Sequence, residues 1–410
     1  MWISKYFHHE LTHFKTLSET AQRHLISIAV YELTYPLLFI FLNAFILRQT
    51  SSFAAVAIYN LGMFCALPLT FYLNGMALKR TKIHYPYILG IIGQGLAASL
   101  VFFFPLSSLW SLFGFGLLQG IPMGFYWANR NFVNLDATTD DNRNYYNGIE
   151  MLLTTIAGII TPAVLGWIIR LGDFVTLYTA EQAYQGLNIV ALGLLLFSGW
   201  LLMAARIDNP LFNKLLLGRA TPLWNVARLL EVLRGVQNGF DLFLAPLVSF
   251  TFFGKEGTFG ALQSTSAVLD ALALYAIARY AKPKHRLKAL GLGVALLVVS
   301  TCLFSFQFSF LAALIFSLLM RPIFHLNWTV SNPITMRVID EEDGGDPTNN
   351  YAYVVDREFF LNIGRVAGIG LFFAFLQYST QEQALRWVPL VPAFLQVGLW
   401  WCAKKLAAKH

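Results

Sequence analysis

Short polar stretches divide this chain into apolar runs, each about 20 residues long. That is the length a helix needs to cross the hydrocarbon core of a bilayer. Inside lipid the backbone must satisfy its own hydrogen bonds, so an open sheet or an irregular loop is excluded there. The runs begin near His24, Phe53, Tyr85, Ser107, Tyr145 and Gly186, and again near Leu229, Thr258, Leu287, Phe308, Tyr351 and Ala384. Twelve transmembrane helices are therefore expected, in an all-α membrane protein. Of the 410 residues 57% are hydrophobic and 12% charged, where a soluble domain carries about a quarter charged residues. Too few polar side chains remain to cover a soluble surface. The 36 Phe and 10 Trp suit the acyl region and the headgroup belts.

The net charge of +7 does not point to nucleic acid, because the basic residues sit in short loops between apolar runs. That distribution sets orientation. With both termini cytoplasmic, the inner segments hold about 20 Lys and Arg and the outer loops four, Arg48, Arg170, Lys255 and Arg386. A multi-pass protein of the bacterial inner membrane is expected, with no cleaved leader. Cys65, Cys302 and Cys402 lie within apolar segments and lack metal-ligand spacing. No metal, cofactor or ATP-binding loop is expected, nor an enzyme's nucleophile and base.

The longest polar interruption, residues 205–228, reads as a cytoplasmic linker with a short interfacial helix near Trp224–Leu230. It separates six-helix bundles at 24–204 and 229–405, with cytoplasmic ends at 1–23 and 406–410. The halves look duplicated. Gly120-Ile121-Pro122-Met123 in helix 4 matches Met320-Arg321-Pro322-Ile323 in helix 10, with the prolines 200 residues apart. The basic loops Lys79–Lys82 and Lys282–Lys288 keep a similar offset, and Asn144-Tyr145 with Glu150 matches Asn350-Tyr351 with Glu358. A nearly constant offset of about 200 residues implies pseudo-symmetric halves about an axis along the membrane normal.

On this layout the whole chain resembles the major facilitator superfamily of secondary transporters. The loop after helix 2, Gly75-Met76-Ala77-Leu78-Lys79-Arg80, resembles that family's signature, with Lys79 where the family has Asp. Helix 5 loosely follows a small-residue pattern of proton antiporters through Gly148, Ala157, Thr161-Pro162 and Gly166, which tilts the expectation towards export. The resemblance implies alternating access, a monomer, and a central cavity lined by helices 1, 4, 7 and 10.

Ionisable groups within hydrocarbon are costly and so are candidates for function. Arg321 and Arg365 are expected to bind an anionic part of a solute. Glu32, Asp241, Glu150, Asp270 and Glu358 are candidates for carrying a coupling proton. Arg321 or Arg365 neutralising Asp270 or Glu358 across a helix interface is the competing structural role. Gln119, Tyr126 and Trp127 on helix 4, His325 and Asn327 on helix 10, Asn238 on helix 7 and Asn362 on helix 11 offer a polar and aromatic lining for a small amphiphilic solute. Arg80 and Lys79, facing the acidic loops at Asp140 and Asp343, are candidate gate residues. The expected function is proton-coupled transport of a small, anionic or amphiphilic solute. A lipid flippase on the same scaffold and a non-transporting receptor or assembly partner are the alternatives.

Overall fold

The computed structural model describes residues 14–136, 143–205, 207–212, 214–254, 256–280, 285–342 and 347–408. Among them twelve long helices follow one another. They are α1 (Glu19–Thr50), α2 (Phe53–Leu78), α3 (His84–Phe103), α4 (Leu109–Asp136), α5 (Arg143–Val175) and α6 (Ala180–Met203) in the first half. In the second half come α7 (Pro222–Phe252), α8 (Glu256–Tyr280), α9 (Arg286–Gln307), α10 (Phe310–Glu342), α11 (Asn350–Leu376) and α12 (Leu390–Ala407). A short lead-in helix, Gln381–Trp387, precedes α12. Eight of the described helices are long and apolar enough to cross a membrane by length and composition. The other four, α4, α7, α8 and α12, are diluted by polar side chains, several of which pack inside the bundle.

The surface is inverted relative to a soluble protein. Along α5, Leu152, Ile156, Ile160, Val164, Trp167 and Leu171 recur every three or four residues and all are exposed. That spacing keeps them on one helix face, and the face is apolar and outward, as lipid requires. Polar groups turn inward and tie helices together. Tyr31 of α1 donates to Gln94 of α3 at 2.8 Å, and Asn60 of α2 donates to Asn43 of α1 at 2.7 Å. Ser27 meets Ser198 of α6 at 2.8 Å. Such interhelical bonds contribute about 1 kcal/mol each within a membrane.

α1 is one helix with a π-helical turn at Pro36–Phe41. Pro36 has no N–H to offer the carbonyl of Glu32, four residues earlier, and its ring crowds that carbonyl. The ladder reforms with a wider turn. α7 begins at Pro222, where Thr221 caps Trp224 N–H at 3.1 Å. The Trp224–Leu230 segment expected as a separate interfacial helix is thus the opening of α7.

We call proximal the face that carries the α2–α3 and α8–α9 connections, and distal the one carrying the α1–α2 and α7–α8 connections. The halves meet along α2 with α11 and α5 with α8. At the α5–α8 crossing a Cβ on Gly166 would strike the Glu256 carbonyl, and one on Gly260 the Pro162 carbonyl. Only glycine lets the two backbones approach so closely, the usual solution where lipid supplies no hydrophobic drive between helices. At the proximal end of α2, Gly75 gives room to Tyr351 of α11, whose hydroxyl donates to the Phe71 carbonyl at 3.0 Å. α1 packs on α7 through Pro36–Thr50, while Glu19–Tyr35 packs on α5 and α6 of its own half.

Candidate functional site

Most of the intramembrane charges among the described residues collect in four places. In the first half, Arg130 of α4 pairs with Glu32 of α1 at 2.9 Å and Glu150 of α5 at 2.7 Å. Its guanidinium also donates to the Tyr126 hydroxyl at 2.9 Å and lies 5.0 Å from the Trp127 ring centroid. Tyr126 is itself buried and stacked on Tyr31, with centroids 3.9 Å apart. Glu32, Glu150 and Tyr126 therefore build a structural knot around Arg130, with half-buried Trp127 at its edge.

A related knot occupies the second half. Glu231 of α7 accepts from Arg234 at 2.7 Å through both carboxylate oxygens, and Arg357 of α11 lies 3.2 Å away. Ser331 and Thr335 of α10 complete it at 2.8 and 3.1 Å. Arg234 and Arg357 stack over Trp328 at 4.9 and 5.7 Å. Glu231 stands 199 positions after Glu32 and Trp328 stands 201 after Trp127. The sequence repeat is thus realised as one charged knot per half, joining its first, fourth and fifth helices.

The third place lies at the α8–α10 contact. Asp270 accepts from Arg321 Nε at 3.3 Å and meets His325 Nδ1 at 2.5 Å. Arg321 spends one donor here, and among the described residues its terminal nitrogens have no hydrogen-bond partner. They lie against Gly158 of α5 in the other half, and the side chain keeps 22% of its surface. The fourth is Arg365 of α11, which donates to Asn238 at 2.5 Å and Asn362 at 3.0 Å. Its pairing with Glu358 is long, at 3.9 Å, and its guanidinium lies 5.0 Å from the ring of Phe64 on α2. Half-buried Tyr35 lies one turn along α1 from Glu32, beside Phe39 with ring centroids 4.7 Å apart. The competing role weighed for the two arginines is present, yet both carry unspent donors at the junction of the halves.

Asp241 sits elsewhere. It accepts from Gln237 at 2.7 Å and shares a small cavity within the second half with Asn327. Gln119 is fully buried, with neither amide atom hydrogen-bonded. Lys79 and Arg80 are exposed at the end of α2, where Asn209 caps Leu78 and Thr81 carbonyls at 2.8 and 2.7 Å. Asp140 and Asp343 lie outside the described residues. Sequence reasoning passed over Arg130 and also Arg357, which stands next to Glu358, a residue it had noted. It also missed Tyr35 and Glu256. Among the described residues no group of three or more His, Cys, Asp or Glu could hold a metal ion.

Two helical bundles with buried charge knots, meeting along two helix pairs around free guanidinium donors, define a multi-pass membrane transporter of the two-bundle class. The chain belongs to the major facilitator superfamily, whose sequence profile matches residues 24–348. The uncharacterized protein YqgE of Bacillus subtilis (strain 168) is 26% identical over 370 residues, covering 90% of this chain and 85% of the relative. A Geobacillus stearothermophilus protein described as uncharacterized in the sodM 3′ region is 33% identical over 134 residues, which are 32% of this chain and 60% of the relative. A bacterial homologue of the iron transporter ferroportin in an inward-facing state superposes with a TM-score of 0.68, at 13% identity over 95% of this chain and 98% of that one. The nucleoside transporter NupG gives 0.66, at 13% identity over 95% and 99%. A bacterial homologue of the human lysosomal transporter Spinster gives 0.61, at 12% identity over 96% and 98%. At these identities the structures share the fold.

Proposed function

We propose that the chain is a proton-coupled secondary transporter of a small organic solute bearing an anionic group, which binds Arg321 and Arg365 at the junction of the halves. The observation that carries the reading is Arg321, held by Asp270 through one nitrogen while its other donors face α5 of the opposite half. A guanidinium with free terminal nitrogens is suited to bidentate capture of a carboxylate or phosphate. Half-buried Trp127 and Tyr35, with buried Phe64, supply an apolar and aromatic surround for the rest of the solute.

The coupling group in this reading is Asp270, shared between Arg321 and His325. A proton on Asp270 removes the charge that competes for Arg321 and frees it for the solute. Proton and anion then favour each other's binding, so they travel in the same direction. Pro162 and Gly166, from the small-residue pattern of α5 that suggested export, seat α5 against α8. We place the proximal face, with its basic loops, in the cytoplasm, and the protein as a monomer in the bacterial inner membrane.

The test is thermal stabilisation of the purified protein by a panel of carboxylates, phosphate monoesters and nucleosides at about pH 6 and about pH 8. Anion-selective stabilisation, stronger at the lower pH and lost in Arg321→Gln, is expected. Equal stabilisation of Arg321→Gln would remove Arg321 from the site.

A further inference from the structure

The segment between the halves is not a slack tether. Asn209 fastens it to the first half, donating to the Leu78 and Thr81 carbonyls at 2.8 and 2.7 Å and accepting from the Ile83 N–H at 2.8 Å. One linker side chain thus holds the end of α2 and the turn into α3. Further along, Phe212 stacks on Tyr351 of α11, with centroids 4.5 Å apart and planes at 25°. Phe132 of α4 stacks on the same tyrosine at 5.3 Å and 13°. Tyr351 is buried, at 3% exposed. Leu215 reaches Gly75 of α2, where an added Cβ would strike both Leu215 and Tyr351.

Tyr351 belongs to the second half, whereas Phe132, Gly75 and the groups bonded by Asn209 belong to the first. The linker therefore adds a ring, held from the first half, at the place where Tyr351 bonds the Phe71 carbonyl and joins α11 to α2. A contact biases an equilibrium only where its strength differs between the two states. Parting the proximal ends of α2 and α11 draws Tyr351 away from Phe212 for as long as Asn209 keeps its bonds. The stack is then a contact of the closed state alone. A flexible glycine- and serine-rich chain of the same length would favour neither state. We propose that Asn209, Phe212 and Leu215 form a clasp on the proximal face, with Asn209 as its anchor and Phe212 as its catch. The sequence of the linker, and not only its length, then sets how readily that face opens. The clasp goes beyond the reading of the solute site and uses none of its residues.

The full-length protein carrying Cys65→Ala, Cys302→Ala and Cys402→Ala is spin-labelled at Tyr85→Cys and Lys288→Cys. Both sites are exposed, at the proximal starts of α3 and α9. Pulsed electron resonance then reads the distance between the halves on that face. Phe212→Ala and Asn209→Ala should each raise the ratio of long to short distances roughly three- to tenfold. Phe212→Leu keeps an apolar contact without the ring and should raise it less. Leu211→Ala, in a side chain that is 84% exposed, should leave it unchanged. No solute is added, so the result is independent of Arg321 and the two readings fail separately. Unchanged distances in Phe212→Ala and Asn209→Ala, or an equal rise in Leu211→Ala, would overturn the clasp.

Discussion

Arg48 and Glu256 join the two halves at the distal face, 208 residues apart in sequence, with one guanidinium nitrogen 2.8 and 2.9 Å from the two carboxylate oxygens. Glu256 is fully buried, whereas the Arg48 side chain keeps 32% of its surface. Tyr184 reaches the same carboxylate at 3.4 Å. The pair spans the point where α1 of one half faces α8 of the other, so separating the halves on the distal side would break it.

Arg48→Ala strands a buried carboxylate, whereas Arg48→Ala with Glu256→Gln does not. The single variant should melt below the double one. A coupling energy of about 1–2 kcal/mol is expected from the four-protein cycle, reduced because Arg48 is partly solvated. Additive melting shifts would show that the pair does not hold the halves together.

The α5–α8 crossing should tolerate no side chain. Gly166→Val or Gly260→Val forces a Cβ into a carbonyl of the partner helix, and a cost of about 1–3 kcal/mol follows from overpacking. Gly186→Ala in α6, where nothing lies within 4 Å of the added carbon, should leave the melting temperature unchanged or slightly raised. Comparable losses in all three would mean that glycine is needed for backbone freedom and not for close approach.

The knot in the second half should be the more sensitive of the two to loss of its acid. Glu231 is 1% exposed and faces two arginines. Glu231→Leu leaves both guanidinium groups buried without a counter-ion, a loss of about 3–5 kcal/mol. In Glu32→Leu, Arg130 still has Glu150, and the loss should be smaller. Melting curves of the two variants decide the order.

Asp270→Asn imitates the protonated acid. With the competing charge gone, its affinity for an anionic solute should exceed that of the unmodified protein and should no longer respond to pH. An unaltered pH dependence in this variant would place the coupling proton on another group.

The helical spans and the duplicated halves were legible in the sequence because hydrocarbon imposes both a length and a polarity on every crossing. Pro122 and Pro322, Trp127 and Trp328, and Glu32 and Glu231 all keep the offset of the repeat. What was not legible is which charges are spent on one another. Arg130 stands next to Asn129 in an apolar run, and nothing local reveals that α1 and α5 each bring it a glutamate. Glu32 and Asp241 were both candidates for the coupling proton, yet the fold gives the first an arginine and the second an amide. The start of α7 was readable in principle. Thr221-Pro222 is a cap followed by a proline at the first helical position, but it precedes the apolar run by half a dozen residues and so was assigned to the linker.

The π-helical turn at Pro36–Phe41 has a consequence for how α1 is shared. A widened turn is in effect one surplus residue in an α-helix, and one residue corresponds to about 100° of rotation. The face of α1 below Pro36, with Glu32 committed to Arg130, and the face above Phe41, with Arg48 committed to Glu256, are therefore indexed separately. Deleting a single residue between Leu37 and Phe41 would restore one continuous phase, and no rotation of the whole helix could then satisfy both carboxylates at once.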